Sequence, residues 1–558
     1  MTLLIIATTI KKLPLTACPT TPPTPLTPSS REATEMEMEM ATVTATTIVE
    51  WPRENHRPTV MGLLDPRAED EERGELAMIF RVALSMAAIC GSLSLRLTAS
   101  VLSLRGDDLT SQPFVSPDER YLFAWNGQVY SINEGENDGR ILFDWFCDAA
   151  HEKGVEAALQ EVFASSALQD AEWAMVLVDT HTGSVYFGRD ALGRRSLLVS
   201  QKDGELVLAS VASPEAIDVS LAFKELGHLT TLMPRNAERL LLCPTDTFAD
   251  PTDSERQAAL DSIQAALLES VRRRVTTVQG VTAQEKAPPI AILFSGGLDC
   301  TILAYLAHQV VPESQGIDLI NVAFENPRVL AAGKKAGSNS SSPSASSSFD
   351  TPDRLLSRRS LAQLQSLAPD RLWNLVEIDV HYSSYLAHKP TILSIMHPSE
   401  SVMDLSLASV LYFASKGSEH SIGPRVYISG LGADELFGGY SRHRGAFASG
   451  GWARAVDELQ MDLDRLPTRN LGRDDRAVSS HGREARYPFL AAPVLQLAAR
   501  LPVRVKAEWG RGEGVGDKLL LRMLARERLG LGEVGREKKR AMQFGARSAK
   551  MERGRHSR

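Results

Sequence analysis

Runs that are apolar almost without interruption recur along the second half of the chain: PPIAILF (288–294), DLINVAF (318–324), LVEIDV (375–380) and RVYIS (425–429). A strand covered on both faces needs such a run, whereas a strand with one wet face alternates apolar and polar residues. Segments of helical spacing separate them, among them CTILAYLAHQVV and SVMDLSLASVLYFASKG, and the amphipathic ERQAALDSIQAALLESVRRRV precedes the first. Strands and helices in alternation bury both kinds of surface as a parallel sheet with helices on its faces. A doubly wound α/β domain is therefore expected over 256–552, with the low-complexity stretch 331–349 (AAGKKAGSNSSSPSASSSF) as a mobile loop and 553–558 as a tail. Its end, 500–552, reads as helical and basic.

The first half has another texture. YLFAWNGQVYSI, AEWAMVLVDT and GSVYFGRD alternate in the manner of strands joined by Gly/Asn/Asp turns, and RILFDWFCDAA and VEAALQEVFASSAL carry helical spacing. This predicts a layered α+β domain over 86–215, with 216–255 as a linker. Residues 1–58 are rich in Thr and Pro and include EMEMEM. Residues 1–85 are expected to be a disordered extension, or chain from a start codon placed too far upstream.

Charge and cysteine usage narrow the class. The chain of 558 residues carries 61 Lys+Arg against 69 Asp+Glu, a net −8 that argues against a general nucleic-acid or anionic-membrane binder. No apolar run approaches the roughly 20 residues needed to cross a bilayer; the best, near 77–90, is broken by Arg81. The 5 cysteines (Cys18, Cys90, Cys147, Cys243, Cys300) lie far apart and form no CxxC pair, so neither a zinc knuckle nor a disulfide scaffold is expected. A cytoplasmic enzyme fits these features; Lys11, Lys12, Arg31 and the nearby hydroxyls leave a mitochondrial presequence as the alternative.

ILFSGGLDCT (292–301) carries the most specific chemistry. A buried strand ends at Phe294, two glycines allow a tight turn, and a helix starts near Asp299. Successive backbone N–H groups at such a turn, with the helix N-terminus, form an anion nest. It is not a Walker A loop, since no GxxxxGK[ST] occurs in the chain. A second strand, RVYIS, runs into SGLGADELFGGYSRHR (429–444), where small residues again follow a strand and bring Asp434 and Glu435. In a doubly wound sheet the carboxyl ends of the strands share one crevice, so both turns are expected to face one ligand.

The SGGxD[SC] pattern resembles the pyrophosphate loop of ATP pyrophosphatases. SGLGADELFGGY resembles the SGEGSDELFGGY signature of asparagine synthetases, and DRAVSSHGREARYPFL, GEGVGDKLLLR and KRAMQFGARSAK follow in that family's order. Upstream, VLSLRGDDLTSQPF, FAWNGQVY, ENDGRILF and YFGRDALGRRSLL are similar to the glutamine amidotransferase domain that precedes the synthetase domain there. By resemblance, the fold is an α+β N-terminal-nucleophile-hydrolase-like domain followed by an adenine nucleotide alpha hydrolase-like α/β synthetase domain. The implied activity is amidation of aspartate through an acyl-adenylate, with ATP, Mg²⁺ and glutamine or ammonia as nitrogen donor. Ser295, Gly296, Gly297 and Asp299 would hold pyrophosphate; Phe294 and Val322 would flank adenosine, with Ser429 and Gly430 beside the nucleotide. Asp299 and Asp434 would meet Mg²⁺ through phosphate, and Lys518 would neutralise phosphate charge. Arg105 would clamp the glutamine carboxylate, Asn126, Gly127 and Gln128 would lie near its amide, and Asp138 at its α-amine. Read without its neighbours, FGRDALGRR is a hairpin with an exposed basic turn. Small-molecule substrates are the expected partners, with no nucleic acid or membrane, and a homodimer is left open.

The chain departs from that pattern in particular places. The family's glutaminase uses a cysteine at the mature N-terminus, whose α-amine (pKa ~8) acts as base. Here the corresponding stretch is Ser85-Met86-Ala87-Ala88-Ile89-Cys90-Gly91. Either Met86 matches the initiator and Ala87 takes the nucleophile position, or Cys90 is the nucleophile and lies inside the chain; the first alignment is preferred. Only 14 residues separate Cys90 from Arg105, too few for the family's intervening RGPD segment. The proton-handling glutamate of SGEGSDE is Leu431 here, and losing a general base typically costs ~10²–10⁴ in rate. Cys300 replaces a serine, a milder change. An ATP-binding regulatory protein is thus the alternative to a ligase.

Overall fold

The computed structural model describes residues 2–12, 84–90, 93–102, 104, 110–132, 136–182, 184–202, 205–211, 224–225, 248–278, 290–325, 349–417 and 423–551. Its first half contains antiparallel sheets. One sheet holds β1 (Thr2–Lys12), β2 (Leu84–Cys90) and β3 (Leu93–Leu102); the other holds β4 (Phe114–Val115) and β5 (Tyr121–Gln128). Helices α1 (Asp138–Lys153) and α2 (Val155–Ala164) follow. Then β6 (Glu172–Asp179) and β7 (Ser184–Arg189) complete the second sheet, in order β4-β5-β6-β7. Strands β8 (Leu198–Lys202), β9 (Glu205–Ala209) and β10 (Lys224–Glu225) return to the first, in order β10-β8-β9-β1-β3-β2. Leu97 and Leu208 of the first sheet share a core with Trp125 and Val176 of the second and Phe143 of α1.

The disordered-extension expectation for 1–85 is corrected at its ends. Thr2–Lys12 is the strand between β3 and β9, and Leu84–Cys90 pairs with β3. TLLIIATTI is rich in β-branched residues, which suit a pleated, paired backbone. Residues 13–83 lie outside the described residues, as do 216–223 and 226–247 of the expected linker and 331–348 of the expected mobile loop. The last residue of that loop, Phe349, is buried, its ring edge-on to His381.

In the second half, α3 (Asp253–Thr276) opens with a capping box between Thr252 and Glu255 and buries Leu260, Ile263, Leu267 and Val271 at three- and four-residue steps. Five parallel strands follow, with helices between them. They are β11 (Ile290–Leu293), α4 (Leu298–Val310), β12 (Ile317–Phe324), α5 (Pro352–Leu367) and β13 (Trp373–Val380), then α6 (Tyr382–Met396), α7 (Val402–Lys416), β14 (Val426–Ile428) and β15 (Glu484–Arg486). The sheet order is β13-β12-β11-β14-β15. The chain therefore builds outward from β11 on one side, then crosses back to build outward on the other. The point of reversal lies between β11 and β14, the place where doubly wound sheets bind their ligands, at the carboxyl ends of the strands. Beyond β15 the expected helical tail is short helices and turns, among them Leu519–Met523 and Met542–Gly545.

Buried charge joins the halves. Arg195 is fully buried and meets Glu172 at 3.4 Å, Glu484 at 3.3 Å and Asp475 at 3.3 Å. Arg274 of α3 reaches Glu172 at 3.1 Å and Asp170 at 3.2 Å. The exposed-turn reading of FGRDALGRR is thus replaced: Arg189, Arg194 and Arg195 are all buried, and Arg189 and Arg194 donate to the carbonyls of Pro467 and Leu490 in the second half. Removing one member of such a cluster strands the opposite charges in a dry interior, which typically costs about 3–5 kcal/mol. Arg195→Met should lose that amount in urea unfolding. Arg140→Met, which breaks an exposed pair with Asp144, should lose less than about 1 kcal/mol.

Candidate active site

The turn after β11 is fixed from several sides. Gly296 has φ +76°, and a Cβ there would lie 2.5 Å from the backbone of Ser357, so only glycine fits against the first turns of α5. Ser360 donates to the Gly296 carbonyl at 2.7 Å, Asn321 to the Phe294 carbonyl at 2.9 Å, and the Gly297 N–H to the Ser295 hydroxyl at 3.3 Å. Gly297 then caps α4, a helix of 13 residues whose free N–H groups point out of the turn. Cys300 is buried with its thiol donating to the Gly297 carbonyl at 3.3 Å, and burial raises its pKa.

The turn after β14 lies directly alongside. The Ser429 N–H donates to the Arg486 carbonyl at 2.9 Å, and Gly430 comes so close to the first turn that a Cβ on it would be 3.2 Å from Asp299 Cβ. Glu435 accepts from the Gly432 N–H at 3.2 Å and from the Tyr440 hydroxyl at 2.6 Å, which holds the acidic turn in shape. Burial, then the neighbouring Asp434 charge, raises the Glu435 pKa.

Lys518 ties the turns together. Its Nζ lies 2.7 Å from Asp299 Oδ2 and 2.8 Å from Asp434 Oδ1, with the side chain almost fully buried. Burial alone would push this ammonium down, but Asp299 and Asp434 outweigh it and hold its pKa above the ordinary value. Burial likewise opposes the Asp434 charge, yet Lys518 and Lys539 hold that carboxyl well below its usual range. Lys539 makes an ion pair with the other Asp434 oxygen. Nothing in KRAMQFG taken alone marks this lysine as part of the site; its position at the head of that motif is the one local signal.

The remaining expected residues fall in several places. Phe294 and Val322 are buried beside the same strand tips, and Leu431 packs partly buried against the second core. In the first half, Asn126, Gly127 and Gln128 close β5, with Gly127 opposite Trp173 and Gln128 opposite Glu172. The amide oxygen of Asn126 and both amide atoms of Gln128 are buried without a partner among the described residues. Asp138 is fully buried beside them, accepting from the Val129 N–H at 2.7 Å and its neighbour Gly139 N–H at 3.0 Å. Cys90 ends β2 opposite Leu93, inside the chain, and its side chain lies outside the described residues, as does Arg105 entirely.

The ion cluster leaves no room at Gly439, where a Cβ would lie 1.9 Å from Asp434 Oδ1 and 2.8 Å from Lys518 Cε. Gly439→Ala should therefore cost about 1–3 kcal/mol by overpacking. Gly445→Ala, in open space within a helix, should be stabilising by roughly 0.5–1 kcal/mol. Urea unfolding of both variants checks the difference in sign.

Comparison with known proteins shows the family. The asparagine synthase family model matches residues 263–457 and 447–556, and a glutamine amidotransferase domain model matches 99–214. An asparagine synthetase domain-containing protein of Saccharomyces cerevisiae is 34% identical over 484 residues, covering 81% of this chain and 83% of that protein. Asparagine synthetase domain-containing protein 1 of Homo sapiens is 30% identical over 575 residues, covering 82% of this chain and 88% of that one. The glutamine-hydrolysing asparagine synthetase of Mus musculus is 24% identical over 408 residues, 66% of this chain and 64% of its own. The chain belongs to the asparagine synthetase family, in its group of asparagine synthetase domain-containing proteins.

Proposed function

We propose that the chain is an ATP- and Mg²⁺-dependent amide-forming ligase acting on aspartate. The observation that carries this reading is the junction of the β11 and β14 turns, where one buried lysine holds an acid from each. A polyphosphate entering between them meets the N-terminus of α4 and the ammonium groups of Lys518 and Lys539. In this reading Ser295, Gly296, Gly297 and Asp299 hold the pyrophosphate end, and Phe294, Val322, Ser429 and Gly430 line the nucleoside end. The substrate carboxylate attacks the α-phosphorus and pyrophosphate leaves with its charge spread over the lysines. Ammonia then attacks the acyl carbon, the adduct gives up a proton to solvent, and AMP departs with the bonding electron pair.

The residues suit Mg²⁺ carried on phosphate. No group of three or more His, Cys, Asp or Glu among the described residues could hold a metal alone, whereas Mg²⁺ usually takes one or two carboxylates and fills its shell with phosphate and water. Asp299 and Asp434 would hold it, and it would neutralise the charge developing on the leaving pyrophosphate.

The amide oxygen of Asn126 and the amide of Gln128, unpaired among the described residues and next to Asp138, support a glutamine-amide pocket in the first half, read as an amidotransferase-like domain over 86–215. The nitrogen donor in this reading is ammonia, or glutamine nitrogen if the mature N-terminus supplies a cysteine whose α-amine can act as base. Leu431 supports a second reading, an ATP-binding regulatory protein that has lost the proton-handling acid.

The test is aspartate-dependent ATP–pyrophosphate exchange. The wild-type chain should exchange, and Asp299→Ala should lose on the order of a hundredfold. Exchange no higher than in the variant removes the ligase. Asparagine formed from aspartate, ATP and ammonia removes the regulatory alternative.

A further inference from the structure

Asp353 is a carboxyl that the site described so far does not use. It stands in the first turn of α5, after the Thr351 cap and Pro352. Acids in a first turn are commonplace and normally wet. This one is 4% exposed. Its carboxylate accepts no hydrogen bond among the described residues; the nearby charges that act on it are Arg540 and Lys539. A carboxyl set this deeply with no donor from the protein is uncommon, and only a narrow solvent contact remains to satisfy it.

Its place explains what could satisfy it. Positions 353, 357 and 360 lie on one face of α5, at the i, i+4 and i+7 spacing. Ser357 packs on Gly296 and Ser360 bonds the Gly296 carbonyl. Asp353 is therefore one turn beyond the β11 turn on the very face that holds it. The segment 539–546 crosses above. It begins with Lys539 on Asp434, and the Ala546 carbonyl accepts from the Phe324 N–H at the tip of β12 at 3.0 Å. Between these anchors Gly545 leaves room for the carboxylate: a Cβ there would lie 2.0 Å from both Asp353 oxygens. The neighbouring Arg354 is already engaged by Asn321, Glu377 and Asp379.

The neighbouring acidic turn is cationic on balance, with Lys518 and Lys539 both on Asp434. An unpartnered acid beside it repels phosphate and attracts a positive group with several N–H donors, which an ammonium supplies. Resting on the ligase reading of the site, we propose that Asp353 binds the ammonium group of the acid substrate and thereby selects amino acids over simple dicarboxylic acids. Burial pushes the Asp353 carboxyl up to about 7, so it must shed its proton to take a cation.

The test is calorimetric titration of the full chain, loaded with Mg²⁺ and a non-hydrolysable ATP analogue, with L-aspartate and with succinate, its counterpart without the amine. The wild-type chain should bind aspartate at least tenfold more tightly than succinate. Its aspartate affinity should rise about tenfold from pH 6 to pH 8, as expected for a group near 7 that must ionise. Asp353→Asn should weaken aspartate at least tenfold, abolish the preference and flatten the pH profile, with the affinity for the ATP analogue within twofold of wild type. Equal binding of the two acids by the wild-type chain, no binding of either, or an unchanged preference in Asp353→Asn would overturn the assignment. A flat wild-type pH profile does so even if the variant fails to fold. Selective binding that is lost in the variant, in a protein without pyrophosphate exchange, keeps the assignment and removes the ligase. Exchange with an unchanged preference does the reverse.

Discussion

One ammonium group between two carboxylates organises the second half of this protein. Asp299 and Asp434 stand on turns far apart in sequence, and without a cation between them their buried charges would repel. Lys518 answers both at once, from a residue whose backbone is itself in the left-handed region at φ 51°. Holding a non-glycine residue there costs of order 1–3 kcal/mol and persists where the surroundings over-determine it. The Lys518 N–H bond to the Phe437 carbonyl and the paired carboxylates supply that determination. The glycines around it follow from the same constraint, since a Cβ at 430 or 439 would press on the paired side chains.

The halves of the chain are joined by charge as well as by apolar packing. Glu172, which ends up opposite Gln128 in the β5–β6 ladder, reaches both Arg195 and Arg274. Arg195 also meets Glu484 at the start of β15, and the last residue of β15, Arg486, accepts at its carbonyl from the Ser429 N–H. A continuous set of contacts therefore runs from the end of β5 to the turn after β14. Buried charges of this kind contribute little net stability but penalise any other docking that leaves them unpaired.

Much of this was legible in the residues. The apolar runs marked β11, β12 and β14, and the capped, amphipathic start of α3 was equally plain. LVEIDV reads the same way, but β13 is the edge strand and only its ends, Trp373 and Val380, are buried. The paired turns could be placed together because parallel strands present their carboxyl ends on one edge. Less accessible was whatever depends on contacts distant in sequence. Nothing local distinguishes Asp353 from an ordinary first-turn acid, because its burial comes from Gly545, nearly two hundred positions later. Arg194 and Arg195 look like a surface turn until the acids of the second half are brought against them. The strand at Thr2–Lys12 was hidden by composition: its β-branched run is short, and the Thr/Pro-rich stretch after it dominates the reading.

The most direct measure of the central claim is amide hydrogen exchange, read by mass spectrometry on the full chain with and without ATP and Mg²⁺. If the β11 and β14 turns form one nucleotide site, peptides covering 295–300 and 429–439 should slow together, by tenfold or more, at the same ATP concentration. Protection of one turn without the other, or of neither, would contradict it.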